Sequence, residues 1–137
     1  MSVSNQKMTM THFTMENLID KVSTWLTTGD LDPIIFSDEF KFISPFWQGN
    51  NKAEFLDKFS DPTQYKTVSL AKITHFDPII PFKSLDGKHF SIALQYHTIN
   101  GQSVYETVLG TINKKGLLSE LRSIYDLEAT KKALQLS

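Results

Sequence analysis

The chain contains no cysteine, which excludes disulfide bonds, a catalytic thiolate and a zinc site made of thiolates. It also lacks an excess of charge of either sign. Its 14 Lys and Arg and 15 Asp and Glu give a formal net charge of -1, and the basic residues are scattered. Such a chain has no positive field to hold a phosphate backbone, so we expect no nucleic-acid partner.

Long apolar runs are missing as well, so we expect no membrane span. Residues 1–12 are polar and lack the apolar segment of a signal peptide, which indicates a cytoplasmic location. We expect residues 1–12 to be frayed and residues 13–137 to form a single domain. That length suffices to bury roughly two thirds of the unfolded surface.

Sequence motifs for metal, phosphate and nucleophile sites are also absent. The histidines show no metal-ligand spacing with an acidic partner, there is no Gly-rich phosphate loop, and no serine has a convincing His and Asp arrangement. These histidines and serines are His75, His89, His97, Ser44, Ser103 and Ser123. We therefore expect no metal site and no cofactor.

Phenylalanine is abundant, with ten residues against two tryptophans, and 12% of the chain is aromatic. Flat apolar rings suit a packed core and also the wall of a pocket for a small hydrophobic molecule. The aromatic content alone leaves both interpretations open.

The first half of the chain predicts helices. Thr14 is typical of an N-cap, and Gly29 is typical of a helix end, so we expect a helix from Thr14 to about Thr28. A short helical turn begins at Asp32-Pro33, a strand covers Phe40 to Ile43, and a further helix follows Asn51. The apolar stripe of the first helix consists of Leu18, Ile19, Val22, Trp25 and Leu26.

The second half alternates with the period of β-strands, from Tyr65 onward, with a bulge predicted between Leu70 and Ile73. The pair Asn100-Gly101 predicts a hairpin. If these two residues form the whole loop, Tyr96 pairs with Tyr105, and His97 and Glu106 lie on the opposite face.

The last strand follows a turn at Asn113 to Gly116. A four-residue turn places Arg122, Ile124 and Asp126 on the face of the paired tyrosines, whereas a five-residue turn reverses that placement. Both faces of the sheet then carry apolar side chains, and the helices suffice to cover one. We therefore expect a homodimer through the outer sheet face.

The order of these features resembles the SnoaL-like branch of the nuclear-transport-factor-2-like superfamily. The resemblance runs from the Trp25 helix with Gly29-Asp30, through Ser44-Pro45 and a helix led by Gly49, to Ile124-Tyr125-Asp126. It implies an α+β fold in which a curved, mostly antiparallel sheet wraps around N-terminal helices as a cone or barrel. It also implies an apolar pocket, frequent homodimers, and members that are isomerases, cyclases, hydrolases or non-catalytic binders.

Two groups of relatives allow a comparison of residues. The positions of the two catalytic aspartates of ketosteroid isomerases hold Ser44 and Val108 here. The last-strand carboxylate of limonene epoxide hydrolases matches Asp126, but its partner Arg and Asp fall at Leu94 and Tyr96. The resemblance therefore transfers only Asp126 to this chain.

Asp126 is the predicted general acid or base, because burial at an apolar rim raises the pKa of a carboxyl group. The alternative role for Asp126 is a helix N-cap. Tyr105 or Tyr96 is the predicted donor to a developing oxyanion, with an aromatic cross-strand pair of the two as the alternative. The predicted binding residues are Trp25, Phe46, Trp47, Tyr96, Thr107, Leu109, Arg122 and Ile124.

Several of these residues also have structural explanations. Trp25 fits a packed core, Arg122 fits a surface ion pair with Glu120 or Glu106, and Phe46-Trp47 fits a dimer contact. We expect a small-molecule-binding protein, with isomerase, cyclase or hydrolase activity as one outcome and non-catalytic ligand binding or dimerisation as the other.

Overall fold

The structure is a computed structural model that describes residues 13–59, 61 and 69–136. Within these residues, helices pack against one face of a mixed sheet that does not close on itself, which confirms the predicted α+β class. The predictions for residues 1–12 and 62–68 lie outside the described residues. The described helices are α1 (Met15–Thr28), α2 (Lys52–Phe59) and α3 (Leu127–Ala133).

The described strands form one sheet of seven strands in the order β2-β1-β7-β6-β5-β3, and β4 also pairs with β5. The strands β1 and β7 run parallel, and the other pairs are antiparallel. Their bounds are β1 Phe36–Ile43, β2 Gln48–Gly49, β3 Ile73–Phe76, β4 Ile80–Lys83, β5 His89–Thr98, β6 Ser103–Ile112 and β7 Leu118–Ile124.

Local capping determines where α1 begins and ends. The Thr14 hydroxyl accepts from the Asn17 amide at 3.0 Å, and the Asn17 side chain accepts from the Thr14 amide at 3.2 Å. At the other end Gly29 adopts the left-handed conformation, with φ 83°, and its amide donates to the Trp25 carbonyl. The predicted helix from Thr14 to Thr28 is confirmed, and its apolar stripe is buried.

Aromatic rings pack between the helices and the sheet. Trp25 of α1 makes edge contacts with Phe55 and Phe59 of α2, with ring centroids 5.6 Å and 5.5 Å apart. On the sheet, Phe40 and Phe42 of β1 pack on Phe55 at 4.9 Å and 5.2 Å. This cluster fixes α2 over the sheet and forms one end of the core.

Two predicted elements have different bounds in the structure. The strand predicted to reach from Tyr65 to Phe76 is described only as β3, and a 3-10 turn over Leu70–Lys72 stands where a bulge was predicted. The first strand begins at Phe36 rather than Phe40, directly after a 3-10 turn that Asp32 caps. None of the described helices is long and apolar enough to cross a bilayer.

The predicted register of the β5–β6 hairpin is wrong by one residue. Tyr105 pairs with Gln95, and Tyr96 pairs with Val104. The reason is a three-residue loop, Ile99 to Gly101, in which Gly101 has φ 81° and donates to the Thr98 carbonyl. This is the turn followed by a left-handed glycine that is typical of three-residue hairpins.

The one-residue difference exchanges the two faces of β6. Glu106 now pairs with Leu94 and lies on the same face as Val104 and Val108, which is the face toward the helices. Tyr105 lies on the other face and is 70% exposed. The sheet therefore presents an acid to the interior where a tyrosine was predicted.

Candidate functional site

A cavity of about 410 Å³ opens between the helices and the inner face of the sheet. Its wall is mainly apolar and aromatic, with a minority of polar side chains, as is common for sites that bind small molecules. The apolar lining residues are Trp25, Leu26, Phe42, Phe46, Trp47, Phe59, Ile73, Phe76, Leu94, Tyr96, Leu127, Leu134 and Leu136.

Glu106 is the acid that the sheet directs into this wall. Removal of water from the carboxylate raises the pKa of Glu106 from 4.5 to about 7, although a hydrogen bond from the Ser123 hydroxyl partly opposes the shift. The side chain keeps partial access to solvent through the cavity. Glu106 can therefore gain or lose a proton near neutral pH.

Two tyrosines lie near this carboxyl group. Burial raises the pKa of Tyr96 far above its ordinary value, and the charges of Glu106 and Tyr125 raise it further. Burial also raises the pKa of Tyr125, while hydrogen bonds with the Ser44 hydroxyl and the Phe46 backbone oppose the shift. Both phenols keep their protons at neutral pH and remain hydrogen-bond donors.

Ser44 gives the loop after β1 a fixed shape. Its hydroxyl donates to the Trp47 carbonyl at 2.8 Å and accepts from the Trp47 amide at 3.0 Å. The loop thereby holds Phe46 and Trp47 at the cavity, where the Lys58 ammonium lies 5.9 Å and 5.8 Å from their ring centroids. This arrangement places a cation and two aromatic rings on one part of the wall.

Thr130 of α3 contributes a further polar group to the wall. Its side chain is buried, and its hydroxyl has no hydrogen-bond partner among the described residues. Lys131, the next residue on α3, also lines the cavity. A buried hydroxyl without a partner lowers the stability of the folded protein.

The structure brings together four of the predicted binding residues. Trp25, Phe46, Trp47 and Tyr96 line the cavity. The remaining predicted binding residues lie on the outer face of the sheet. The prediction that they share a face with Tyr96 is therefore wrong, because the register of the β5–β6 hairpin differs from the predicted one by one residue. The predicted residues on the outer face are Tyr105, Thr107, Leu109, Arg122 and Ile124.

Asp126 does not line the cavity. Its carboxylate accepts from the Ala129 amide at 3.0 Å and caps α3, which is the structural role considered for it. The prediction that Asp126 lies at the pocket rim is wrong, because its neighbours Tyr125 and Leu127 line the cavity while Asp126 itself is exposed. Arg122 lies 3.7 Å from Glu120, as expected for a surface ion pair.

Glu106, Ser123 and Tyr125 are among the site residues that the sequence prediction missed. The available signal was the phase of β6, because Glu106 lies in phase with the apolar residues Val104 and Val108. With a three-residue loop at Ile99 to Gly101, Val104 and Val108 face the interior, and Glu106 faces the interior with them.

The histidines also differ from expectation. The sequence predicted no metal-ligand spacing with an acidic partner, whereas His75, His97 and Asp77 place ligand atoms within 4.8 Å of one another. These three residues lie on the outer face of the sheet, because Phe76 and Tyr96, their neighbours along β3 and β5, face the cavity. The predicted homodimer through this face stays a prediction.

No protein-family model and no curated protein matches this chain. Solved structures do match. A protein with a cystatin-like fold from Silicibacter pomeroyi has a TM-score of 0.62 and 16% identity, over 88% of this chain and 82% of that one. A candidate isomerase of the SnoaL-like family from Agrobacterium tumefaciens has a TM-score of 0.51 and 11% identity, over 82% and 99%.

A third match is SalBIII, an epoxide hydrolase/cyclase-like enzyme of pyran ring formation in the polyether salinomycin. It has a TM-score of 0.56 and 15% identity, over 91% of this chain and 95% of that one. The chain has a SnoaL-like fold. Sequence identities this low show a common fold but do not indicate a common substrate or common catalytic residues. The function therefore has to be argued from the cavity itself.

Proposed function

We propose that this protein binds a small hydrophobic molecule in its cavity and catalyses a proton transfer within it, as an isomerase or cyclase, with Glu106 as general acid and base. The observation that carries the proposal is a carboxyl group with a pKa of about 7 in a mainly apolar wall. A general acid or base works best when its pKa is near the working pH.

The neighbouring phenols supply the second requirement of such a reaction. Removal of a proton beside a carbonyl group shifts an electron pair to the carbonyl oxygen, and a hydrogen-bond donor stabilises that charge. Tyr96 and Tyr125 line the same cavity as Glu106 and hold their protons. We assign Tyr96 the role of this donor, because Ser44 and the Phe46 backbone already engage the hydroxyl of Tyr125.

The proton balance of an isomerisation needs no further reactant. The Glu106 carboxylate takes a proton from the carbon next to the carbonyl group, and the resulting enolate oxygen accepts a hydrogen bond from Tyr96. The Glu106 carboxyl group then returns the proton to a different carbon of the same molecule. The product has the atoms of the substrate, and Glu106 is again ionised.

The proposal also draws on the structural neighbours, among which are a candidate isomerase and a cyclase-like enzyme. It moves the acid–base role from Asp126 to Glu106, because Asp126 caps α3 outside the cavity. The alternative is a binder without catalysis, for which the mainly apolar cavity suffices.

The test uses the full chain and a panel of cyclic enones in deuterated water, with exchange of substrate protons followed by NMR. Binding is followed separately by quenching of tryptophan fluorescence, since Trp25 and Trp47 line the cavity. We expect the wild-type protein to accelerate exchange and Glu106→Gln to slow it by about 100-fold or more, while enone binding persists.

Glu120→Gln is the matched control, because Glu120 is a strand carboxylate that pairs with Arg122 outside the cavity. It should leave the rate of exchange unchanged. Equal exchange rates in Glu106→Gln and the wild-type protein would overturn the role of Glu106. Saturable enone binding without any wild-type exchange would support the non-catalytic alternative.

A further inference from the structure

We propose that His75, His97 and Asp77 form a binding site for Zn²⁺ on the outer face of the sheet. The site lies on the opposite side of β5 from the cavity, and it does not depend on the proposed chemistry of Glu106. It combines two imidazole groups and one carboxylate, whose ligand atoms lie within 4.8 Å of one another.

The sheet backbone places the three side chains together. His75 of β3 and His97 of β5 are direct partners in the antiparallel ladder, and their rings stack with centroids 4.3 Å apart. Asp77 directly follows β3, and its amide donates to the Gln95 carbonyl at 2.9 Å. Because strand pairing fixes all three backbone positions, the three side chains lie close together before any ion arrives, and only the His75 ring has to turn.

Hydrogen bonds determine which nitrogen of His75 is available. The Thr74 hydroxyl donates its single proton to the His97 carbonyl at 3.0 Å. Its oxygen therefore accepts from Nδ1 of His75, also at 3.0 Å. With the proton on Nδ1, Nε2 of His75 carries the lone pair that a metal ion requires.

His97 is oriented in a similar way. Its Nδ1 contacts the Ser103 hydroxyl at 2.9 Å, and its Nε2 lies 3.1 Å from both carboxylate oxygens of Asp77. When the Nε2 lone pair binds the ion, Nδ1 carries the proton and donates a hydrogen bond to the Ser103 hydroxyl. A partner of this kind on the second nitrogen is typical of histidines that bind metals.

Zn²⁺ is the ion that this ligand set favours. Two histidines and one carboxylate form open zinc sites, with ligand bonds of about 2.0–2.1 Å and a fourth position for water or another ligand. Such bonds place ligand atoms about 3.4 Å apart in a tetrahedron. The exposed ring of His75 therefore has to turn out of its stack on His97 to complete the site.

The contacts of Ser103, His97 and Asp77 also look like a nucleophile with its base. Two observations favour the metal. The serine lies on the outer face of the sheet, away from the cavity, and a nucleophile needs a bound substrate. In addition, His75 has no role in such a triad, whereas it is the third ligand of a metal site.

The test is a calorimetric titration of the untagged full chain with Zn²⁺, together with Co²⁺ titration followed by visible absorption. We expect one equivalent of saturable binding and an absorption band from a four-coordinate Co²⁺ site. His75→Ala and Asp77→Asn should each weaken Zn²⁺ binding by about tenfold or more. His75 is exposed, so His75→Ala tests the site with little risk to folding, which circular dichroism verifies.

His89→Ala is the matched control. His89 lies 3.5 Å from Asp86, so it is also a histidine beside a carboxylate, but no second histidine joins that pair within the part of the chain that the structure describes. This variant should bind Zn²⁺ as the wild-type protein does. Wild-type protein without saturable Zn²⁺ binding, or unchanged affinity in His75→Ala and Asp77→Asn, would overturn the site.

Discussion

The carboxyl group of Glu106 accepts a hydrogen bond from the hydroxyl of Ser123 inside the cavity. The two residues lie on neighbouring strands, β6 and β7, where Val108 pairs with Ser123. The bond favours the ionised form, whereas burial favours the neutral form, and burial has the larger effect because the pKa rises to about 7. The same balance makes the stability of the fold depend on pH.

We predict that the free energy of unfolding falls as the pH rises from about 4.5 to about 7. The ordinary pKa of a glutamate is 4.5, so in this interval the folded protein holds a proton on Glu106 that the unfolded chain has lost. Stability is then lost with rising pH, by about 3 kcal/mol over the interval as an upper bound. Urea unfolding at a series of pH values measures this change.

The difference between wild type and Glu106→Gln isolates the contribution of this one group. The variant should be more stable than the wild-type protein at pH 8 and should lose this part of the pH dependence. Glu120→Gln alters a carboxylate outside the cavity, so this variant should keep the pH dependence of the wild-type stability. Parallel curves for Glu106→Gln and the wild-type protein would contradict the prediction.

A second prediction concerns Gly110, which faces Phe90 across the β5–β6 pair. A Cβ atom on residue 110 would lie 2.2 Å from the Phe90 ring, and that ring is buried. We expect Gly110→Ala to destabilise the protein by about 1–3 kcal/mol, as overpacking does in other cores. Chemical denaturation measures the loss.

The double variant Gly110→Ala/Phe90→Leu separates a clash from an effect on the strand backbone. A smaller side chain at position 90 should recover part of the stability lost in Gly110→Ala. Phe90→Leu alone serves as the reference for the double variant. If the stability changes of the two single variants simply add in the double variant, the close approach of Gly110 and Phe90 is not the cause of the destabilisation.

The third prediction concerns the expected homodimer. The outer face of the sheet exposes Tyr105, Leu109 and Ile124, of which Ile124 is 49% exposed. We expect the wild-type protein to sediment as a dimer and Ile124→Lys to weaken the dimer by about tenfold or more, since it places a charge in an apolar contact. Analytical ultracentrifugation over a range of concentrations measures both.

Ile34→Lys provides the control, because Ile34 is similarly exposed, at 56%, but lies on the 3-10 turn before β1. It should leave the association state unchanged. A wild-type protein that sediments as a monomer at all concentrations would remove the homodimer from consideration.

Local signals in the sequence predicted much of the fold. Thr14 and Gly29 bound α1 through the caps expected of them, and Asn51 accepts from the Glu54 amide at the start of α2. These signals are reliable because each depends on neighbouring residues alone. The order of elements was likewise sufficient for the resemblance to the SnoaL-like proteins.

The site was predicted less well, because it depends on strand register. The sequence Asn100-Gly101 fits a two-residue turn and also a three-residue loop that begins at Ile99, and these alternatives differ in every inward side chain of β6. The backbone bond from Gly101 to Thr98 belongs to the longer loop. Trp25, Phe46, Trp47 and Tyr96 line the cavity as expected, since their placement does not depend on β6.

The loop at Ile99 to Gly101 has an evolutionary consequence. If the same residues instead formed the two-residue turn Asn100-Gly101, the pairing of β5 with β6 would shift by one residue, which would send Glu106 to the surface and bring Tyr105 inward. Among proteins of this shape, substitutions that change the type of one hairpin loop can thus remove an interior acid without altering the strand that carries it. Homologues that keep an acid at this place in the alignment need not keep it in the pocket unless the loop conformation is also preserved.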